Sequence, residues 1–325
     1  MKPMTDKLKF AFYWGASCGG CDVAVLDINE KILDVAAIAD IVLWPVAADG
    51  KYKDIEAMAD RNIDVCFFNG GIRNSEAEHI ARLLRKKSKV MVSFGACACM
   101  GGVPSLANQF SRGEIFTRAY ITSQSTVNPE RRLPQQKSYV PEGELEIPQF
   151  FDRVSPLDEV VPVDYYLPGC PPTPEWVLAA VQAIAKGELP PPGSVIGSEK
   201  TLCDECPRER KNERSIRKFY RPHEIIADPK QCLLEQGIIC SGPATRAGCR
   251  ARCIEVNMPC RGCYGPPPGV VDQGAKMLGA VASLVAANDE DEVARIIDGI
   301  KDPLGIFYQF GLAKSLLKGN IKQGG

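Results

Sequence analysis

The first half of the chain alternates between short apolar runs and amphipathic segments. Apolar runs of strand length predict buried strands at 9–14, 40–46, 63–69, 89–95 and 160–170. Segments with apolar positions at helical spacing predict helices at 22–40, 74–87 and 173–187. Strands that alternate with helices and carry continuous apolar runs are typical of a parallel sheet covered on both faces.

Capping signals support two of these helices. Ser75 is followed by Glu78 three residues later, which predicts a capping box at the start of the second helix. Thr173 supplies an N-cap for the third helix and Gly187 a C-terminal stop. Residues 1–190 are therefore predicted to form one open, doubly wound α/β domain of the flavodoxin-like kind.

Two stretches and the rest of the chain after them lack this alternation of strands and helices. The stretch 120–158 is polar and predicts a long surface excursion, and the proline- and glycine-rich stretch 189–200 predicts a linker. Beyond it the chain is rich in cysteine and has little periodicity until Gln273, where an apolar tail of helical character begins. The sequence therefore predicts two domains, 1–190 and 191–325.

Composition restricts the class of function. The chain has 325 residues and a formal net charge of -1, which gives no general attraction to nucleic acid or to a membrane surface. No apolar run reaches the roughly 18 residues that span a bilayer, and the N-terminus lacks an apolar signal region and a twin-arginine motif. We therefore expect a cytoplasmic protein without a membrane span.

The chain contains 14 cysteines and 2 histidines. In a reducing compartment cysteines are poor candidates for disulfides, and thiolates bind zinc or iron–sulfur clusters tightly. The shortage of histidine excludes a histidine-rich metal site. The cysteines are therefore interpreted as metal ligands.

Three cysteine motifs directly follow predicted strands: CGGC at 18–21, GACACMGG at 95–102 and PGCPP at 168–172. The carboxyl ends of parallel strands lie on one edge of a sheet, where ligands bind. The glycines in these motifs let the backbone approach a bulky anionic ligand and offer N–H groups to it. We expect four thiols to converge there, and we call them the first group: Cys18, Cys21, Cys97 and Cys170.

Two further cysteines of the first half are not expected to be ligands. Cys66 lies inside an apolar strand and is interpreted as a core residue, because free cysteine is often fully buried. Cys99 lies two residues from Cys97 in what is predicted to be the same loop, where two ligands would crowd one cluster. It is therefore expected to lie next to the site without binding it.

The remaining eight cysteines follow the linker and would serve two sites of four ligands. In sequence order they form a second group of Cys203, Cys206, Cys232 and Cys240, and a third group of Cys249, Cys253, Cys260 and Cys263. Spacing alone does not establish which cysteines share a site. The assignment of Cys240 and Cys249 to one group or the other stays open. Metal–thiolate bonds could order a segment that lacks apolar periodicity. Zinc is the competing ligand, since pairs of CxxC also occur in structural zinc modules.

In combination the motifs CxxC, G-x-C-x-x-x-G-G and P-G-C-P-P, followed by a cysteine-rich half, resemble the small subunit of [NiFe] hydrogenases over nearly the whole chain. The resemblance implies a flavodoxin-like domain that binds a proximal [4Fe-4S] cluster through Cys18, Cys21, Cys97 and Cys170. It also implies a medial and a distal cluster in the second half, hence three [4Fe-4S] clusters.

The chain differs from the membrane-linked members of this family, and these differences indicate which group of hydrogenases it resembles. Those proteins use a histidine as the first distal ligand, where this chain has Cys203, and a proline near the medial cluster, where it has Cys253. With no export signal, the chain looks like the cytosolic viologen-reducing hydrogenases of methanogens. That likeness assigns the second group to the distal and the third group to the medial cluster.

The resemblance implies an oxidoreductase subunit that does not activate hydrogen alone. Hydrogen is split at the nickel–iron site of the large subunit, and electrons leave through proximal, medial and distal clusters. The expected partners are that large subunit, an iron–sulfur adaptor and heterodisulfide reductase, with no nucleic acid.

Other interpretations remain open. A quinone-reductase cluster subunit shares the strand-end site but usually lacks the extension with eight cysteines. A deazaflavin-reducing hydrogenase fits much of the chain, and a zinc-stabilised docking subunit would have no redox role. The basic stretch 208–221 could dock an acidic partner or form a solvated helix face.

Overall fold

A computed structural model of the chain describes residues 7–318. Its strands are β1 (Leu8–Trp14), β2 (Ala39–Leu43), β3 (Ile63–Asn69), β4 (Ile72–Asn74), β5 (Ser88–Phe94), β6 (Lys137–Val140), β7 (Gly143–Glu146), β8 (Phe150–Ser155) and β9 (Tyr165–Leu167). Its α-helices are α1 (Gly20–Leu26), α2 (Ile32–Ile38), α3 (Tyr52–Ala57), α4 (Ser75–Lys87), α5 (Gly95–Met100), α6 (Arg112–Thr117), α7 (Pro174–Lys186), α8 (Arg252–Glu255), α9 (Gln273–Leu284), α10 (Glu290–Asp298) and α11 (Pro303–Phe307).

The central sheet has five parallel strands in the order β2-β1-β3-β5-β9. This order reverses direction between β1 and β3, which is the arrangement of flavodoxin-like sheets. Alternate residues of β1 enter separate cores: Phe10 and Phe12 pack on one face, and Ala11 and Tyr13 on the other. The prediction of a doubly wound α/β domain is confirmed.

Three predicted elements of the sheet region are shorter than expected. The helix at 22–40 is interrupted after Leu26, and Asn29 takes a left-handed conformation with φ 56°. The strand at 40–46 stops at Leu43, one residue before Trp44 opens a turn that contains a proline. The last strand covers only Tyr165–Leu167, because prolines at both sides limit its pairing.

The cap of α4 differs from the prediction. Asn74, not Ser75, is the N-cap residue, and its side chain accepts a hydrogen bond from the Ala77 N–H at 2.8 Å. The Ser75 hydroxyl instead accepts from the Gln149 N–H at 3.0 Å. Asparagine and serine are both favourable N-cap residues, so the sequence does not decide whether the helix begins after residue 74 or after residue 75.

The linker and the excursion are more ordered than the sequence suggests. The excursion contains the β6–β7 hairpin and β8, which pairs with β4. Within the linker, Ser194 O accepts from the Tyr166 N–H, and the Ile196 N–H donates to Tyr166 O at 2.8 Å. The linker therefore runs along the open edge of β9. The division of the chain at residue 190 stays a prediction.

The second half folds around its own apolar cluster. Most of residues 200–272 are irregular, with short 3-10 turns and α8. Side chains from this irregular backbone, such as Leu202, Phe219 and Leu233, pack with Met277 and Val281 of α9. The segment therefore has a hydrophobic core besides its cysteines, which periodicity could not reveal. The stretch 208–221 is also irregular, so it does not form the helix considered above.

Among residues 7–318, the helices are too short or too polar to cross a bilayer.

Candidate metal centres

The first group lies at the carboxyl edge of the sheet. Cys18 and Cys21 follow β1, Cys97 follows β5 and Cys170 follows β9. Burial raises the pKa of the Cys97 thiol to about 12, and the neighbouring Cys170, Cys18 and Cys99 contribute to the rise. The structure thus brings the four predicted residues together. Cys18 and Cys170 are exposed while Cys21 and Cys97 are buried, so this group opens to the surface on one side.

Two glycines beside the first group lie so close to a cysteine sulfur that no larger residue would fit. A Cβ at Gly95, where φ is +83°, would overlap Cys21 Sγ. A Cβ at Gly102, where φ is +57°, would lie 2.5 Å from Cys97 Sγ. Any other residue would be strained and would displace a thiol. These glycines therefore preserve the positions of the sulfur atoms.

Cys97 and Cys99 lie on a helix rather than in a loop, which corrects the prediction for 95–102. Residues two apart on a helix point to nearly opposite sides. Cys99 Sγ accordingly turns away and donates to Ser93 O at 3.2 Å, and it packs against Met100 and Phe310. Burial raises its pKa to about 12. The helix explains how two neighbouring cysteines take different environments without crowding.

The second group lines one cavity of about 180 Å³ that holds Cys203, Cys206, Cys232 and Cys240. Burial raises the pKa of the Cys203 thiol to about 12, although Arg210 opposes the rise. The N–H of Cys260 donates to Cys240 Sγ at 3.3 Å, and the N–H of Gly242 also faces this sulfur. Such donors stabilise a thiolate. Cys240 therefore lies with the second group, as sequence order suggests.

The third group is less enclosed. Burial raises the pKa of Cys263 to about 12, and the nearby Cys249, Cys170 and Cys253 contribute to the rise. Cys253 is exposed on α8. Burial raises the pKa of Cys260, and the neighbouring thiols of Cys240 and Cys263 raise it further. Cys260 therefore lies close to both the second and the third group. The structure therefore joins Cys249, Cys253 and Cys263, with Cys260 bridging toward the second group.

The first and third groups touch. The N–H of Cys170 faces Cys263 Sγ. Tyr264, directly after Cys263, is buried, and its hydroxyl accepts a hydrogen bond from the Thr173 N–H at 2.8 Å. Sequence reasoning missed Tyr264. The sequence signal for Tyr264 was its position as an aromatic residue directly after Cys263, a candidate ligand. It fixes the start of α7 against the third group.

The donor chemistry of all three groups fits an iron–sulfur cluster. Each offers four thiols, the ligands such clusters take. Gly95 and Gly102 leave room beside sulfur atoms of the first group, and N–H groups face Cys240 of the second group and Cys263 of the third. Within residues 7–318, no set of three or more His, Cys, Asp and Glu side chains is arranged to hold a single metal ion.

Comparison with known proteins gives consistent matches. The family "NADH ubiquinone oxidoreductase, 20 Kd subunit" matches residues 18–184. The iron–sulfur subunit of the F420-non-reducing hydrogenase of Archaeoglobus profundus is 42% identical over 315 residues, which cover 95% of this chain and 98% of that protein. The corresponding F420-non-reducing hydrogenase chain of Methanothermobacter marburgensis is 38% identical over 329 residues, 99% and 100% of the two chains.

A solved structure supports the fold. A chain of the recombinant [NiFeSe] hydrogenase from Desulfovibrio vulgaris Hildenborough superposes with a TM-score of 0.51 and 15% sequence identity. The match covers 82% of this chain and 96% of that one. At this identity the likeness shows the fold alone.

Proposed function

The chain belongs to the family of the NADH ubiquinone oxidoreductase 20 Kd subunit and is the small subunit of a hydrogenase of the F420-non-reducing type; from this premise we propose that it binds three [4Fe-4S] clusters and conducts electrons between a nickel–iron large subunit and an iron–sulfur adaptor of heterodisulfide reductase. Hydrogenase small subunits of this family carry iron–sulfur clusters, and a small subunit implies a large-subunit partner. What we propose beyond this is the number and type of the clusters and the identity of the electron acceptor.

The first group would hold the proximal cluster, the third group the medial and the second group the distal cluster. A bound [4Fe-4S] cluster accepts and releases one electron at a time. The chain's own part is to supply the thiolates, to bury some of them in each group and to direct N–H groups at sulfur atoms of the second and third groups. All-thiolate ligation keeps each site more negative than a site with a neutral imidazole would be, which suits low-potential hydrogen chemistry.

The observation that carries this proposal is the contact between successive groups. The N–H of Cys170 in the first group faces Cys263 of the third. The N–H of Cys260 in the third group donates to Cys240 of the second at 3.3 Å. These contacts support one continuous path in the order first, third, second. Exposure of Cys18 and Cys170 suits the end that meets the large subunit.

The alternatives are less well supported. F420 is a deazaflavin, and the two relatives named above are described as not reducing it, which argues against a deazaflavin-reducing enzyme. A quinone-reductase subunit would not account for similarity over 95% of the chain to a hydrogenase subunit. The name of the Archaeoglobus relative includes iron–sulfur, which argues against a zinc docking module.

The decisive experiment is anaerobic purification of the complex from its native cells. Identification of the co-purifying chains tests the partners, and hydrogen-driven reduction of the heterodisulfide tests the acceptor. A complex that holds a nickel–iron subunit but reduces only a deazaflavin would overturn the proposed acceptor. A chain that purifies colourless and without iron would overturn the whole proposal.

A further inference from the structure

A buried carboxylate lies directly beside the first group. Asp22 follows Cys21 in α1, and only 2% of its surface is exposed. Its Oδ1 accepts a hydrogen bond from Trp44 Nε1 at 2.8 Å, and its Oδ2 accepts one from Asn69 Nδ2 at 2.8 Å. Both donors are neutral. Within residues 7–318, no salt bridge at 4.0 Å or less includes Asp22, so no cation offsets its charge at close range.

The hydrogen bonds of Asp22 continue into the loop that carries Cys18. Asn69 Oδ1 accepts from Ser17 Oγ at 2.8 Å, and Ser17 Oγ in turn accepts the N–H of Gly19 at 3.3 Å. The carboxylate therefore lies at the end of a chain of hydrogen bonds that fixes the loop between β1 and α1. Residues on both sides of Cys18 depend on this chain for their positions.

A charge is not required for these contacts. The neutral amide of asparagine has nearly the same shape as the carboxylate, and a flip of Asn69 would restore both of its hydrogen bonds in an Asp22→Asn protein. An isolated buried charge is costly, and a negative charge beside anionic ligands disfavours any further electron there. The presence of a carboxylate where an amide would fit therefore points to a use for the charge itself.

We propose that Asp22 is a positioning residue that holds the Cys18–Cys21 loop, and that its negative charge lowers the reduction potential of an iron–sulfur cluster in the first group. This inference rests on the proposed function. A low potential at the first group makes onward transfer of an electron to the third group favourable. Burial strengthens the effect, because water cannot screen the charge.

The test is a redox titration of the anaerobically purified complex, followed by electron paramagnetic resonance of the first-group cluster. In Asp22→Asn the ratio of reduced to oxidised cluster at a fixed potential should rise about tenfold, which for a one-electron couple is a shift of about 59 mV to more positive potential. Asp22→Glu keeps the charge and should titrate close to the wild type. An unshifted Asp22→Asn, or an equal shift in both variants, would overturn the inference.

Matched variants separate charge from position. Asp34→Asn removes an exposed carboxylate on α2 and should leave the potential unchanged. Asn69→Ala breaks the hydrogen-bond chain but keeps the charge, so it should reduce iron retention without the tenfold shift; a shift as large as that of Asp22→Asn would overturn the role of charge. If Asp22→Asn fails to fold, Asp22→Ser offers a second neutral side chain with the same expected direction.

The failure of this inference can be told from failure of the proposed function. The signal assigned to the first group must disappear in Cys170→Ala. If no signal depends on Cys170, the first group holds no cluster and the proposed function is wrong. If the signal depends on Cys170 but not on the charge of residue 22, the inference about Asp22 alone is wrong.

Discussion

The backbone N–H of Cys260 donates a hydrogen bond to Cys240 Sγ at 3.3 Å, so a residue of the third group helps to hold a thiol of the second. Both thiols are buried, and burial raises their pKa values. Binding of iron requires the thiolate, which burial disfavours and an N–H donor favours. The two groups therefore depend on one another, and we expect them to load together.

The first prediction concerns metal content. If each group binds a [4Fe-4S] cluster, intact protein should contain about twelve iron and about twelve acid-labile sulfide per chain, four of each per cluster. Elemental analysis of anaerobic protein checks this number. About four iron together with two zinc would contradict the three-cluster proposal, because the second and third groups would then be zinc sites.

The second prediction concerns Cys253, the exposed thiol of the third group. Cys253→Pro should convert one cluster to a three-iron form, because it removes the fourth thiolate and proline cannot replace it. Cys253 is the second residue of α8, where the backbone N–H has no partner inside the helix, so proline should not break the helix. Spectroscopy of the oxidised protein should show a new three-iron signal.

Cys253→Ala is the matched control. It removes the same thiol without changing the backbone, and it should give the same three-iron signal. An unchanged spectrum in both variants would mean that Cys253 is not a ligand. A change in the proline variant alone would indicate a distorted helix rather than a lost ligand.

The sheet and the first group were predictable because their signals are local. Strands such as Ile63–Asn69 are continuous apolar runs, and a parallel sheet brings their carboxyl ends to one edge. This rule alone joined Cys97 to Cys170, which are far apart in sequence. Cys66 also lies in the core, fully buried, as its strand predicts.

The second half was less predictable because its backbone is irregular. The packing of Phe219 and Leu233 has no sequence period, so nothing in the spacing reveals their common core. Asp22 was missed for another reason. Its burial depends on Trp44 and Asn69, which come from two other strand ends, and only the folded sheet brings them together.

The third prediction concerns Arg208, a buried arginine of the second half. Its Nη1 donates to Asp228 O at 2.6 Å and to Gln231 O at 2.9 Å, and its Nη2 donates to Asn257 Oδ1 at 2.6 Å. Arg208→Met should cost about 3 kcal/mol, because buried acceptors lose a charged donor. Amide exchange near residues 228–232 and 257 should then speed up about a hundredfold.

Arg214→Met is the control for Arg208→Met. Arg214 is exposed in the same irregular stretch, so its replacement should change stability by less than about 0.5 kcal/mol. Hydrogen exchange read by mass spectrometry compares the two proteins. Equal exchange in both would show that the contacts of Arg208 do not hold this region together.

The last prediction concerns Cys170, whose backbone N–H faces Cys263 of the third group. Cys170→Ala removes one thiolate of the first group but keeps that N–H, so the third group should remain loaded. Hydrogen-dependent viologen reduction should collapse, because electrons lose their first step out of the large subunit, while proton–deuterium exchange at the nickel–iron site should persist in the assembled complex. The control is Cys66→Ala, which deletes a fully buried core thiol and should cost about 1 kcal/mol of stability with little loss of activity. Loss of viologen reduction in Cys66→Ala but not in Cys170→Ala would mean that the strand-end thiols do not carry the electrons.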